Sequence, residues 1–259
     1  MLIEFAGPPG SGKSTLTKNL VRRLRVLGVS AYTEDQAVTE YNSRSKIRKF
    51  VSPFFNETEQ VSLLGKYFSL RSPWYLYQFK LNHPDFWRVI QESYHRRPIN
   101  ENHQDLIRNY FKRTMIYYQF IVDHGNQDEV ILFDEGFAHR ITHFVSEREV
   151  PDWIQIEKYL KFIPKSNSLV YLDVPPSICV ERVQKRGLRG RLANLNGEEL
   201  NSFISKSSQA LDFGTSFLAD QGVNIISLDA AADSEQVMDN LESRIVELID
   251  SSFASVVRE

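Results

Sequence analysis

The apolar positions of the chain fall into two rhythms. Short, nearly unbroken apolar runs occur at residues 2–6, 29–33, 129–133, 168–173 and 223–228. Runs of that length without alternation predict strands covered on both faces. Between them, apolar residues recur every three or four positions. Leu16, Leu20, Val21, Leu24 and Leu27 predict a helix that starts at Lys13 and is ended by Gly28. The same spacing predicts helices at 153–162, 177–185, 197–219 and 236–249, with Pro175 and Pro176 opening the second. Strand, glycine turn, helix, strand is the start of a parallel sheet. The pattern as a whole predicts one three-layer α/β domain over 1–259, with a five-stranded parallel sheet and helices on both faces.

Residues 41–125 break the alternation. No strand pattern appears there. Residues 61–68, 74–81, 86–94 and 106–122 look helical, with Pro53, Pro73, Pro84 and Pro98 as breaks. The segment reads as a helical insertion between the second and third strands. It holds 13 lysines and arginines against 7 acids, and more than half of the chain's 31 aromatic residues. Basic and aromatic groups together suit a flat or anionic ligand, which makes 41–125 the candidate acceptor-binding region.

The first turn carries the most specific chemistry. Gly7-Pro8-Pro9-Gly10-Ser11-Gly12-Lys13-Ser14 fits G-x-x-x-x-G-K-[ST] in full, with Thr15 following. Glycines let the backbone curl so that several N–H groups converge on phosphate oxygens, and the next helix offers its positive end. Lys13 is the residue expected to reach the outer phosphates of ATP, and Ser14 to supply a hydroxyl to Mg²⁺. Such a loop needs a carboxylate from another strand. Asp134, after four apolar residues, is the candidate second magnesium ligand, with Glu135 expected on the opposite face if the strand continues. Arg182 and Arg186 lie four apart on one helix face, and Gly187 is expected to leave Arg189 and Arg191 on a mobile loop, so that 182–195 reads as a lid. Arginines on such a lid can offset the charge that develops during phosphoryl transfer. Glu34, expected to end the second strand, is the candidate base for an acceptor hydroxyl. Arg71, Arg113, Tyr117, Glu135 and Arg140 are candidate acceptor contacts, and any insertion aromatic, such as Trp74, is another.

These segments together resemble the nucleoside and nucleotide kinases, above all thymidylate kinases and deoxynucleoside kinases. The resemblance rests on residues 7–15, on Thr33-Glu34, on Asp134-Glu135-Gly136, and on Tyr171-Leu172-Asp173-Val174-Pro175-Pro176 leading into Arg182 and Arg186. It implies a P-loop kinase fold, ATP and Mg²⁺ as cofactors, phosphate contacts by Arg182, Arg186 and Arg189, and Glu34 as general base. One departure stands out. Gly136 occupies the position where these families usually carry an arginine, and the nearest basic residues are His139 and Arg140.

Composition adds exclusions. The net charge of −2 gives no global pull toward a nucleic acid polymer or a membrane surface. Cys179 is the single cysteine, in an apolar stretch, so the chain has no internal disulfide and a cytoplasmic setting is expected. No apolar window is long enough to span a bilayer, and the six histidines show no zinc spacing. The expected partners are ATP and a small acceptor, and a homodimer is compatible with the sequence. Two other readings share the loop: a kinase of another metabolite or antibiotic hydroxyl, and a regulatory NTPase with no small acceptor.

Overall fold

The computed structural model describes residues 1–44, 57–95, 101–146, 149–231 and 234–256. Five parallel strands form one sheet: β1 (Leu2–Ala6), β2 (Ala31–Thr33), β3 (Val130–Phe133), β4 (Ser168–Asp173) and β5 (Asn224–Asp229), in the order β2-β3-β1-β4-β5. β1 is therefore central, with Ile3 beside Leu132 on one side and Ser168 on the other. β2 starts two residues later than its apolar run suggests.

Both faces are covered, as the apolar runs require. Ile3, Phe5, Val130, Leu132, Val170, Leu172, Ile226 and Leu228 pack against α1 (Lys13–Val26) and α9 (Ser234–Val256). The alternate residues Ala6, Leu169 and Tyr171 face α4 (Pro84–His95), α6 (Trp153–Phe162), α7 (Pro176–Arg186) and α8 (Gly197–Asp220). Ile131 and Phe133 pack on a third cluster built from α2 (Glu34–Arg44), α3 (Glu57–Asn82) and α5 (Glu101–His124).

Between β2 and β3 the described residues are helical, with two corrections. Glu34 does not end β2 but opens α2. Thr33 and Gln36 cap that helix reciprocally, Gln36 N–H donating to Thr33 Oγ1 at 3.3 Å and Thr33 N–H to Gln36 Oε1 at 3.2 Å. Nor does Pro73 break its segment: α3 runs through it. Packing on both sides of the proline holds the helix, since Phe68 and Tyr75 both lie edge-on to Phe120 of α5, 5.1 and 5.0 Å away. Pro84 does open a helix, while Pro53 and Pro98 lie outside the described residues.

One buried polar contact fixes how β1 and β3 present their ends. Glu4, 4% exposed, points from β1 under the turn that follows β3, where its carboxylate accepts the Ala138 N–H at 2.8 Å. Gly136 lies directly against it, and a Cβ there would stand 2.6 Å from Glu4 Oε2. The position that usually carries an arginine thus has no room for a side chain. Burial pushes the Glu4 carboxyl up to about 7, against backbone hydrogen bonds from Ala138 and Phe137 and the charge of Arg140. Between the ordinary carboxylate value and 7, the folded chain holds a proton that the unfolded chain has lost, so this group makes stability fall as pH rises. A shift of this size is on the order of 3 kcal/mol. Glu4→Gln is expected to flatten the decline of unfolding free energy between about pH 5 and 7.5, measured by urea titration at several pH values. Glu34, with a similar shift, keeps part of that slope. An unchanged slope in Glu4→Gln overturns the assignment.

Candidate functional site

The phosphate loop lies between β1 and α1 at the carboxyl ends of the strands. Gly10 and Gly12 have φ of 90° and 98°, a region that favours glycine. Gly10 has a second reason: α7 comes so close that a Cβ would stand 2.5 Å from the Cys179 carbonyl oxygen. α1 begins without a side-chain cap and without an acid in its first turn, which leaves its positive end open toward the loop.

Lys13, 6% exposed, curls back over the loop. Its ammonium donates to Gly7 O at 2.8 Å and Pro8 O at 3.2 Å, with Ser11 Oγ at 3.5 Å. Burial lowers its pKa, and the charges of Glu135 and Asp134 oppose that shift. Those two carboxylates act on it directly, and a third, Glu34, adjoins Asp134. Asp134 hydrogen-bonds Ser14, which lowers its pKa, as does Lys13, but burial outweighs both and raises it. Its Oδ1 is buried without a hydrogen-bond partner among the described residues. Glu34 Oε2 accepts the Asp134 N–H at 3.2 Å, and burial pushes Glu34 up to about 7. Burial also pushes Glu135 up, yet Arg140 and Lys13 hold it below the usual carboxylate range.

β3 ends at Phe133, so Asp134 and Glu135 form a turn and do not continue the alternation of the strand. Both acids act on Lys13. Arg140 lies in a short 3₁₀ segment (Ala138–Phe144) and is 6% exposed. It donates to Glu135 Oε2 and Thr114 Oγ1, both at 3.2 Å, and lies 5.1 Å from the Tyr110 ring. A buried guanidinium therefore reaches Glu135 from four residues further along than the missing arginine. His139 stays neutral, its pKa lowered well below the ordinary value by burial and by the charges of Lys13 and Arg140.

A cleft of about 500 Å³ opens between the phosphate loop, α1, α7 and α9. It is lined in part by Ser11, Gly12, Thr15, Arg182, Ala230 and Met238. Arg182 donates to Ala230 O at 3.3 Å. The charge of Arg186 reaches Lys13, and Arg189 is exposed. Arg191 is not on a loose loop. It sits in a second 3₁₀ turn (Gly190–Leu192), donates to Thr142 O at 3.0 Å and to Val145 O, and covers the Phe203 ring.

The remaining candidates lie further out. Arg113 lies over Tyr117 and pairs at 2.7 Å with Asp35, the residue after Glu34 in the chain. Arg71 lies over Tyr67 and Tyr75, and Trp74 is exposed on the outer face of α3. Glu4, Thr114 and the Ala230 wall of the cleft carry no motif that marks them in the sequence. Ala230 has no local signal; the pairing of β5 with β4 brings it there, its N–H donating to Asp173 O at 3.0 Å.

Residues 2–209 match the family described as AAA domain, a span that takes in the phosphate loop, Asp134 and Arg182. The chain belongs to that family. No curated protein matches it. Among solved structures it is similar to deoxyadenosine kinase from M. mycoides with bound dCTP, at 14% identity, covering 95% of this chain and 100% of that one, with a TM-score of 0.46. It is also similar to the same enzyme with products dCMP and a flexible dCDP bound, at 15% identity, 96% and 100% coverage and a TM-score of 0.45. Neither likeness bears on the reaction. Among the described residues no helix is long and apolar enough to cross a membrane.

Lys13→Ala removes the ammonium that bridges the loop carbonyls and lies in the field of the two acids. It is expected to lower nucleotide-dependent turnover by about 10³-fold or more while the far-ultraviolet circular dichroism stays that of the wild type. Turnover at the wild-type rate in this variant rules out a phosphate-loop mechanism.

Proposed function

We propose that the chain is an ATP- and Mg²⁺-dependent phosphotransferase acting on a small molecule, a nucleoside or nucleoside monophosphate. One observation carries the reading: Glu34, a carboxylate titrating near neutrality, lies against the main chain of the residue whose side chain meets Ser14. Phosphate loop, candidate metal-side acid and candidate base thus adjoin one another at the carboxyl ends of β1, β3 and β2.

The residues fit a magnesium ion. Asp134 offers a buried oxygen that lacks a partner among the described residues, and Ser14 a hydroxyl beside it. Magnesium takes few protein ligands and completes its shell with phosphates and water, so one carboxylate and one hydroxyl suffice. When bound, it would neutralise charge on the outer phosphates. The chain's own residues would do the rest. Lys13 exchanges carbonyl oxygens for phosphate oxygens with little movement of its stem. Arg182 bounds the cleft for the base, and Arg186 and Arg189, on the proposed lid, bring positive charge to the phosphates. Glu34 accepts the proton of the attacking hydroxyl, which its near-neutral pKa suits at physiological pH. The helices α2 to α5 form the proposed acceptor side, where Arg113, Tyr117 and Asp35 adjoin Glu34.

Glu34→Gln is expected to lower kcat by about 10²- to 10⁴-fold with little change in KM for ATP. The wild-type rate should fall as pH drops through about 7, where Glu34 takes up its proton, and the variant should lack that limb. The measurement is ADP release over nucleosides, nucleoside monophosphates, sugars and amino alcohols. An unaffected rate in Glu34→Gln removes it as the base and favours a phosphate acceptor, which needs no deprotonation.

A further inference from the structure

The cations of α1 fall into two groups. Arg23 faces α9 and is paired there with Glu235, Asp239 and Glu242, at 2.9, 2.5 and 3.0 Å. Lys18, Arg22 and Arg25, at spacings of four and three, share another face and line a groove of about 660 Å³ between α1 and the start of α2. Asp35, the acid that lines this groove, is already taken by Arg113 at 2.7 Å. Among the described residues, exposed Lys18 and Arg22 make no hydrogen bond or ion pair. Arg25 is held by neutral groups: Nε donates to Ala31 O at 2.7 Å, an η nitrogen donates to Gln36 Oε1 at 3.1 Å, and the guanidinium lies 4.9 Å over the Tyr32 ring. Its orientation is set while its charge is left over. The helix dipole accounts for a cation in the last turn of α1, but not for Lys18 in the second.

The groove ends where the proposed chemistry begins. Thr33 and Asp35 line it, and Glu34, between them in the chain, accepts the Asp134 N–H at 3.2 Å. The charge of Lys18 reaches Asp134 as well. A ligand lying in the groove therefore adjoins both the candidate base and the candidate metal-side acid. What faces it defines its chemistry. Three cations without a free acid favour a multiply charged oxyanion, and two guanidinium forks match the oxygens of a phosphate. Glu34 makes the opposite demand: a general base acts on a group that still holds a proton, a hydroxyl. A bare nucleoside leaves the three cations unused. A nucleoside 5′-monophosphate attacking through its phosphate leaves Glu34 unused. One molecule carrying both a hydroxyl and a separate phosphate uses both.

Resting on the phosphotransferase reading, we propose that the acceptor is an alcohol already phosphorylated at another position, its resident phosphate held by Lys18, Arg22 and Arg25 in the groove along α1. In the step, the bond from the γ-phosphorus to the ADP oxygen breaks, a bond from that phosphorus to the acceptor oxygen forms, and the hydroxyl proton passes to Glu34. The resident phosphate is unchanged. Matched pairs test this: the four ribonucleosides and their 3′-monophosphates, all with a free 5′-hydroxyl. The readout is the ratio of the two kcat/KM values within one protein. Effects on folding or on ATP cancel in that ratio, which matters because Arg22 also lines the cleft beside Arg182. The wild type should favour the 3′-phosphates by about 10- to 100-fold, the worth of a charge-assisted hydrogen bond. Lys18→Gln combined with Arg22→Gln should bring the ratio close to one. Titration calorimetry with the same pairs, the phosphate loop filled by Mg²⁺ and a non-hydrolysable ATP analogue, reads the groove without turnover. Equal use of both members, a preference that survives the double variant, or no binding of any 3′-phosphate overturns the proposal, and transfer to bare nucleosides then leaves the kinase reading standing. A calorimetric preference with no transfer to any acceptor keeps the groove as a phosphate site but overturns its acceptor role, together with the kinase reading.

Discussion

A buried ammonium held by the carbonyl oxygens of its own loop, in the field of two carboxylates, organises this molecule. Lys13 sits where the strand ends of β1 and β3 converge, in contact with two carbonyl oxygens of its own loop and in the field of Asp134 and Glu135. Removing such a charge from water is costly unless its surroundings are polar and fixed. The loop carbonyls meet that need from one side and the two acids from the other. Glu34 and Glu4 then crowd the same region, and burial keeps both near neutral pKa. The strand ends therefore gather more acid than base, an arrangement suited to cations arriving together with a polyphosphate.

The turn after β3 shows how one local substitution is absorbed. Glycine at 136 lets the Glu4 carboxylate lie flat beneath the turn and accept its N–H groups. The guanidinium that the resemblance leads one to expect at that point is supplied by Arg140, held by Thr114 and Glu135. Position along the chain differs, but charge reaches Glu135 all the same. The cost is a buried carboxylate whose ionisation weakens the fold.

Much of this was legible in the sequence wherever the cause is local. The five apolar runs are strands because both sheet faces are covered, and the glycine-lysine-serine spacing speaks for itself. Thr33-Glu34-Asp35-Gln36 is a capping box, visible as such in the letters, yet the preceding apolar run drew Glu34 into the strand. Pro73 predicts a break because propensity is local, whereas the packing of Phe68 and Tyr75 on Phe120 is not. Ala230 was invisible, since only the pairing of β5 with β4 brings it to Arg182.

Gly10 and Cys179 meet backbone to backbone, with no side chain between them. Side chains act as springs, taking up small displacements by turning about their bonds; a contact between two main chains has no such slack. The curl of the phosphate loop and the seat of α7 therefore form one stiff joint. Any change in the loop's curvature is handed on, undamped, to the helix that carries Arg182 and Arg186, and a pull on those guanidinium groups is felt at once by the loop.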